Sequence, residues 1–232
     1  MAAIQPHCDD VPLYASGTVL KLIHEGFSGI LIRTTNDDHA GSGKTIGEVV
    51  AENEKVNFEV ARRMELTKTF DLGYPNHRLD EASRIEMLAR LIFIFRLMKV
   101  DTVICYDPTA QYDANPYHYI TAQVVQSACW MAGGGRDYPE HFAAGLQPHS
   151  VTEKYYFARG PQLVNRIVDI SSVFDDKVRV NLANVSQGPA GENGAQLRTR
   201  LAAEKRTLPI LGDNDVTANR EYIKQIVLWQ DQ

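Results

Sequence analysis

Three short segments of the sequence gather histidine, carboxylate and amide side chains that could do chemistry. They are PHCDD at Pro6–Asp10, DLGYPNHR at Asp71–Arg78, and the stretch Asp107–His118, which ends in DANPYH. The first and last segments directly follow apolar runs that are typical of buried strands, and the second lies at the end of a weaker strand pattern. Ligands of open parallel sheets bind outside the carboxyl ends of the strands, where the strand order reverses. If the first and fourth strands are neighbours at that point, the first and last segments are expected to converge.

The residue types in the first and last segments, Pro6–Asp10 and Asp107–His118, predict a metal site. Imidazole and carboxylate suit Zn²⁺, which in catalytic sites takes three protein ligands and leaves one position open. His7 and Asp10 from one loop and His118 from another fit that number, and Asp9 would then lie beside the open position. Bound metal lowers the pKa of a water ligand toward about 7, and a nearby carboxylate can take its proton. The pattern therefore indicates metal-assisted hydrolysis.

A simpler interpretation of the same residues stays open at this point. In a surface turn, Asp9 and Asp10 would cap the following helix, as Asp commonly does. His118 would then be a solvated histidine near the start of a helix. The glycine-rich run Gly41–Thr45 lacks the spacing of a phosphate-binding loop, so it is interpreted as a loop at the mouth of the sheet.

Apolar runs that alternate with helical patterns predict an α/β fold with a mainly parallel sheet and a decorated C-terminal third. Strands are predicted at Met1–Gln5, Ile30–Ile32, Thr67–Leu72, Asp101–Tyr106, Thr152–Ala158 and Arg166–Ile170. Helices are predicted at Val11–Glu25, Thr45–Met64, Asp80–Met98 and Pro116–Cys129, followed by a loop at Gln187–Gly194 and two further helices within Ala195–Gln232.

Composition excludes several classes of function. The 232 residues include 24 Lys+Arg and 29 Asp+Glu, and this net charge of −5 argues against a nucleic-acid surface. Three widely spaced cysteines predict reduced thiols rather than disulfides. The N-terminus lacks the pattern of a signal peptide, and the apolar segment Met87–Met98 is shorter than the roughly 20 residues of a bilayer span. We therefore expect a cytoplasmic protein with no nucleic-acid or membrane partner.

The chain resembles the PIG-L/LmbE-like deacetylases. Those proteins carry an HPDD motif after the first strand, an LGYPDGRL-like stretch, an HPDH motif and a VDI…K…SQ region. Four ordered segments, together spanning residues 1–187, match these motifs: Pro6–Asp10, Leu72–Leu79, Asp113–His118, and Val168–Ile170 with Lys177 and Ser186–Gln187.

The resemblance implies a Rossmann-like three-layer fold for a single domain over 1–232, with one zinc ion per chain. It also implies hydrolysis of an N-acetyl group from an N-acetylglucosamine-like sugar derivative or a related small amide. Carried over by position, His7, Asp10 and His118 are the metal ligands and Asp9 is the general base. Iron in place of zinc stays open, and the family's frequent self-assembly makes a homo-oligomer an expectation.

Several positions depart from the family motifs. Asn115 stands where the family has the first His of HPDH, and we expect its amide to help position the acyl group. Tyr117 replaces the Asp of that motif, and Cys8 replaces the Pro of HPDD. His77, Arg78 and Tyr117 are predicted to contact the substrate.

The altered residues Asn115 and Tyr117 leave a second function open. A family member with these changes could have lost hydrolysis and act as a ligand-binding or lyase-type protein. Retained zinc and binding of an acetylated sugar, with no release of acetate, would distinguish that case.

Overall fold

The computed structural model describes residues 1–109, 113–158, 164–185, 187 and 192–230, with the backbone alone at 192, 193 and 225–230. Five strands form one sheet in the order β3-β2-β1-β4-β5, and every neighbouring pair is parallel. The strands are β1 (Ala2–Gln5), β2 (Ile30–Thr35), β3 (Lys68–Tyr74), β4 (Thr102–Tyr106) and β5 (Glu153–Phe157). The predicted parallel sheet is confirmed.

Helices cover both faces of the sheet. Within the described residues the eight α-helices are α1 (Ser16–His24), α2 (Ile46–Arg63), α3 (Arg84–Met98), α4 (Pro116–Met131), α5 (Pro139–Ala143), α6 (Phe174–Asn181), α7 (Glu192–Ala203) and α8 (Asp215–Gln230). In β1, Ala2 and Ile4 pack with residues of α3 and α4, whereas Ala3 packs with residues of α1, α2 and α6. Since both faces of the central strands β1 and β4 are buried, these two strands are apolar along most of their length rather than alternating. The three-layer α/β fold is thus confirmed.

Local side chains set where two of the helices begin. Helix α3 begins at Arg84, four residues after the predicted start, because the Ser83 hydroxyl accepts a hydrogen bond from the Glu86 backbone N–H at 3.2 Å. Helix α2 follows a capping box in which Thr45 and Glu48 each satisfy the backbone N–H of the other.

The segment before α1 is a π-helix, Val11–Ala15, where the sequence predicted one continuous helix over Val11–Glu25. The Ser16 hydroxyl donates to the Pro12 carbonyl at 2.6 Å. From α6, the buried Lys177 ammonium donates to the carbonyls of Pro12 at 3.2 Å and Leu13 at 2.6 Å. A π-helix is frequent at functional sites, and this one directly follows Asp10.

The strand predicted at Arg166–Ile170 is wrong, because the structure assigns no strand to 164–170. This segment lies over α1: Lys21 donates to the Asp169 carbonyl at 2.8 Å, and Ile170 packs against Gly17. Ile167 is 78% exposed, so its apolar side chain marks no buried strand. The short apolar run was therefore misleading.

The loop predicted at Gln187–Gly194 is also wrong in part, since α7 already begins at Glu192. Residues 188–191, in the middle of that prediction, lie outside the described residues.

In the part of the chain that the structure describes, no helix is long and apolar enough to cross a bilayer. All three cysteines are buried free thiols.

The order of the strands puts the reversal between β1 and β4. From β1 the chain moves outward to β2 and β3, and it then returns to pair β4 with the other side of β1. The carboxyl ends of β1 and β4 therefore flank a crevice of the kind in which open α/β sheets bind ligands.

Candidate metal centre

Three ligand-type side chains meet at this crevice. One side-chain atom each of His7, Asp10 and His118 lies within 4.8 Å of the others, and all three residues are buried. His7 and Asp10 belong to the loop after β1, and His118 lies in the first turn of α4 behind the N-cap residue Asn115. The predicted convergence of these residues is confirmed, and the alternative of a solvated His118 is wrong.

Asp10 lies between the two imidazoles. Its Oδ2 atom is 3.1 Å from Nδ1 of His7, and its Oδ1 atom is 3.4 Å from Nε2 of His118. The carboxylate is also fixed by two donors: the backbone N–H of His7 at 2.8 Å and the hydroxyl of Tyr106 at 2.7 Å. Asp10 caps no helix with its side chain, so the surface-turn interpretation fails for it.

Asn76 holds the second ring nitrogen of His7. The distance from His7 Nε2 to Asn76 Oδ1 is 3.1 Å, and the same oxygen accepts from the His77 backbone N–H at 3.0 Å. Because an amide oxygen only accepts, Nε2 of His7 carries the hydrogen and Nδ1 faces Asp10. Asn76 comes from the segment after β3, which brings all three sequence segments to the same site.

His118 is held by Asp113 and Tyr106. Its Nδ1 atom is 2.7 Å from Asp113 Oδ2, and its ring stacks on the ring of Tyr106 with the centroids 4.1 Å apart and 7° between the planes. The amide nitrogen of Asn115 lies 3.1 Å from Nε2 of His118. Tyr117 stands at the position of the family Asp in the sequence, but in the structure the carboxylate beside Nδ1 of His118 belongs to Asp113.

The charges of the cluster are strongly coupled. Burial raises the pKa of Asp9 to about 7, and the neighbouring charges of Asp10 and Asp37 act in the same direction. Burial opposes ionisation of Asp10 too, but His118 and His7 outweigh it and lower the pKa of Asp10 to about 2. For His7, burial disfavours the cation, yet Asp10, Asp37 and Asp9 raise its pKa to about 9.

These residues fit a divalent metal ion. Each imidazole nitrogen that faces Asp10 would, when unprotonated, oppose its lone pair to a carboxylate oxygen, so the arrangement needs a proton or a cation between them. Two imidazoles and one carboxylate are a donor set that Zn²⁺ accepts. His7 and His118 each also have a partner on the other ring nitrogen, as metal-bound histidines usually do.

Buried polar groups also hold the loop after β1 in place. Asp37, which has a positive φ of 57°, accepts from the Cys8 backbone N–H at 3.2 Å and from the Gln187 amide at 2.9 Å. Cys8 is fully buried, and burial raises the pKa of its thiol well above the usual value. A buried thiol of this kind is inert, so the replacement of Pro by Cys adds no reactive group to the loop. Ser186, which the family motif places before Gln187, lies outside the described residues.

Three stacked rings form an aromatic rim beside the cluster: His39, His77 and Tyr117. The centroids of His39 and His77 are 4.8 Å apart, and those of His77 and Tyr117 are 5.5 Å apart. Arg78, the third residue predicted to contact substrate, is instead exposed and pairs with Glu81 at 2.6 Å. The structure therefore brings two of these three residues to the rim.

Three supporting residues were missed by reasoning from the sequence: Asn76, Tyr106 and Asp113. Each lies within a segment, or at the end of a strand, that the sequence marked as important, but nothing in its spacing indicated its partner. The usable signal was position, since Tyr106 is the last residue of β4, and Asn76 and Asp113 follow the carboxyl ends of β3 and β4.

Comparison with known proteins identifies relatives of the chain. The family model "PIG-L: GlcNAc-PI de-N-acetylase" matches residues 2–129. The diacetylchitobiose deacetylase of Thermococcus kodakarensis is 27% identical over 195 residues, which cover 80% of this chain and 69% of that protein.

Solved structures show the same fold. The N,N'-diacetylchitobiose deacetylase of Pyrococcus horikoshii matches with a TM-score of 0.74 and 26% identity, over 88% of this chain and 78% of that one. The 4-carboxy-2-hydroxymuconate hydratase GalB of Pseudomonas putida matches with a TM-score of 0.69 and 14% identity, over 88% and 87% of the two chains, a likeness of fold alone. Because the family match spans more than half of the 232 residues and includes the loop after β1 and the start of α4, the chain belongs to the PIG-L family.

Proposed function

We propose that the protein is a zinc-dependent hydrolase that removes an N-acyl group, and specifically an N-acetyl group, from an amino-sugar-like small molecule. The observation that carries the proposal is the buried cluster of His7, Asp10 and His118 at the strand reversal of a PIG-L family chain. Two relatives at 26–27% identity are named as deacetylases of diacetylchitobiose, which supports an N-acetylated sugar as the substrate class.

In this proposal His7, Asp10 and His118 hold one zinc ion. When bound, zinc polarises the amide carbonyl and lowers the pKa of a water ligand. Asp9, the neighbour of Asp10 in the same loop, is the general base that accepts the proton of the attacking water and returns it to the leaving amine.

Asn115 is assigned to the acyl oxygen. Its Oδ1 atom accepts from the Tyr117 backbone N–H at 3.0 Å, which turns the amide N–H₂ group toward the cluster. An amide donor there can stabilise negative charge that develops on the acyl oxygen. Asn115 carries no charge of its own, so we expect a slower reaction than a histidine at this position would support.

The aromatic rim is assigned to the sugar. His77 and Tyr117 provide flat apolar surface next to polar edges, a combination suited to the two faces of a pyranose ring. Arg78 keeps its proposed contact only if it leaves Glu81, with which it pairs at an exposed position.

The first experiment measures zinc content and acetate release together. Purified wild-type protein is expected to hold about one zinc per chain and to release acetate from N,N'-diacetylchitobiose. His118→Ala is expected to lose both properties. The control is His24→Ala, because His24 is an exposed histidine of α1 paired with Glu65.

The outcomes separate the two functions. Zinc and acetate release that both survive in His118→Ala would refute the proposed metal centre. Zinc retained in wild type, with sugar binding but no acetate after long incubation, would instead favour a ligand-binding or lyase-type protein, the function that the altered Asn115 and Tyr117 leave open.

A further inference from the structure

The loop before α4 contains a carboxylate that the proposed reaction does not use. Asp113 lies five residues before His118, and its side chain is 5% exposed although the next residue, Ala114, is exposed. A carboxylate in such a place needs a partner, since an unpaired buried charge is strongly destabilising. Two described groups meet this need: Oδ1 accepts from the Asn115 backbone N–H at 2.9 Å, and Oδ2 lies 2.7 Å from Nδ1 of His118.

The partners of His118 determine which ring nitrogen carries the hydrogen. A carboxylate only accepts hydrogen bonds, so the hydrogen of a neutral imidazole lies on Nδ1, facing Asp113. On the other side, Asn115 uses its oxygen to accept from the Tyr117 backbone, which leaves its nitrogen to donate to Nε2 of His118. Both contacts therefore place the lone pair on Nε2, the atom that faces Asp10, where a bound metal ion would take the place of the Asn115 donor.

Tyr106 and Asp113 orient the ring of His118 in different ways. Tyr106 lies parallel to His118 at 4.1 Å and fixes the plane of the imidazole. Stacking does not prevent the ring from flipping within that plane, which would exchange the two nitrogens. The hydrogen bond to Asp113 removes this freedom, and the turn that Asp113 makes with Asn115 holds the carboxylate itself in place.

We propose that Asp113 is a positioning residue that sets His118 to bind the metal through Nε2. The inference rests on the proposed metal centre. Asp113, rather than Tyr117, is then the residue that contacts Nδ1 of His118. The ring of Tyr117 stacks on His77 instead. A second carboxylate of the same loop offers a matched comparison: Asp107 also accepts from the backbone N–H two residues on, Thr109 at 2.8 Å.

Zinc affinity tests the proposal without an activity assay. Competition with a chelating dye is expected to give a zinc Kd about ten- to a hundredfold higher for Asp113→Ala than for wild type, the usual effect of removing a partner of a metal-bound histidine. Asp113→Asn keeps an acceptor without the charge and is expected to lie between. Asp107→Asn, which alters a similar turn, is expected to leave the Kd unchanged.

A nitrogen-15 NMR spectrum of zinc-loaded wild type provides a readout that does not depend on any Asp113 variant folding. We expect a proton on Nδ1 of His118, shifted downfield by its hydrogen bond, and no proton on Nε2. His118→Ala identifies the signal by its loss. A proton on Nε2 would overturn the proposal, as would a zinc Kd for Asp113→Ala that matches wild type. Failure of wild type to bind zinc would refute the metal centre itself, which is a different result.

Discussion

Two buried polar regions lie on either side of the π-helix Val11–Ala15, and they carry charges of opposite sign. On one side, the carboxylates of Asp9 and Asp10 lie with Asp37 and two imidazoles. On the other side, Lys177 is 2% exposed and donates to main-chain carbonyls of the π-helix itself. Both regions are buried, but their charges are balanced in different ways.

The difference indicates what each region does. The carbonyls of Pro12 and Leu13 are fixed partial charges, so Lys177 is satisfied by the fold and acts as a structural brace. The carboxylates of Asp9, Asp10 and Asp37 carry more negative charge than the two imidazoles offset, so they are completed by protons or by a metal ion. The need for a proton or a metal ion therefore marks the carboxylate cluster as the binding site, and hydrogen-bond partners supplied by the fold itself mark Lys177 as a support.

The largest effect is expected from Asp9→Asn, which removes the proposed base and keeps the shape of the side chain. Acetate release should fall about 10²- to 10⁴-fold, the usual contribution of a general base. Zinc content, measured by elemental analysis, should stay at the wild-type level because Asp9 is not among the three ligands. Turnover close to that of wild type would exclude Asp9 as the base.

The next largest effect concerns Lys177 and pH. Burial lowers the pKa of Lys177 from 10.5 to about 7. Between these two values the unfolded chain binds more protons than the folded one, so the free energy of unfolding rises with pH through this window. We expect the contribution of Lys177 to this rise to be on the order of a few kcal/mol.

Urea unfolding of the metal-free protein at pH 7 and pH 9.5 measures this contribution. Lys177→Met should lose it, so the difference in stability between variant and wild type should change with pH. Buried thiols such as Cys8 have raised pKa values and act in the opposite direction, and subtraction of the two proteins cancels them. Lys55→Met, at an exposed lysine, should behave as wild type; equal pH dependence in all three would contradict the assignment.

A smaller effect is expected in the carboxylate cluster, from the residue that holds His7. Asn76→Ala removes the acceptor of the His7 Nε2 hydrogen, so His7 no longer has a preferred ring orientation. The zinc Kd is expected to rise about tenfold, as measured by dye competition. No change in Kd would mean that His7 is held by Asp10 and its own backbone without help from the segment after β3.

The smallest effect is expected at the aromatic rim, which lies outside both buried regions. Tyr117→Ala should raise KM for diacetylchitobiose about fivefold, equivalent to about 1 kcal/mol of ring contact, with little change in kcat. Tyr117→Phe keeps the ring and should match wild type in KM. A loss in the Phe variant equal to that in Ala would show that the hydroxyl, rather than the ring, contacts the sugar.

Much of the fold and the three central residues could be predicted from the sequence. The strands at Ile30–Ile32 and Asp101–Tyr106 and the helix at Pro116–Cys129 are strongly periodic or continuously apolar, and all three are found with small shifts of their ends. The convergence of His7 and Asp10 with His118 was predicted on the condition that the first and fourth strands are neighbours, because parallel strands end at the same edge of the sheet, and the structure shows that they are.

Two of the wrong predictions of secondary structure have a common cause, which is contact with residues far away in the sequence. Arg166–Ile170 was predicted as a strand from its apolar residues, but the segment packs against α1, where it contacts Lys21 and Gly17. The start of α1 was predicted at Val11, but Lys177 from far along the chain holds the preceding residues as a π-helix. Contacts over such separations leave no local pattern.

The sequence by itself determined the parallel sheet, its covering helices and the identity of the candidate ligands, because these depend on periodicity and on the order of the strands. Only the tertiary structure decided that Asn76 and Asp113 hold the two histidines, that Tyr106 stacks on one of them, and that Arg78 points away. The physical reason is that a hydrogen-bond partner is chosen by the path of a loop in three dimensions, to within a few tenths of an ångström, and residue spacing does not encode that path.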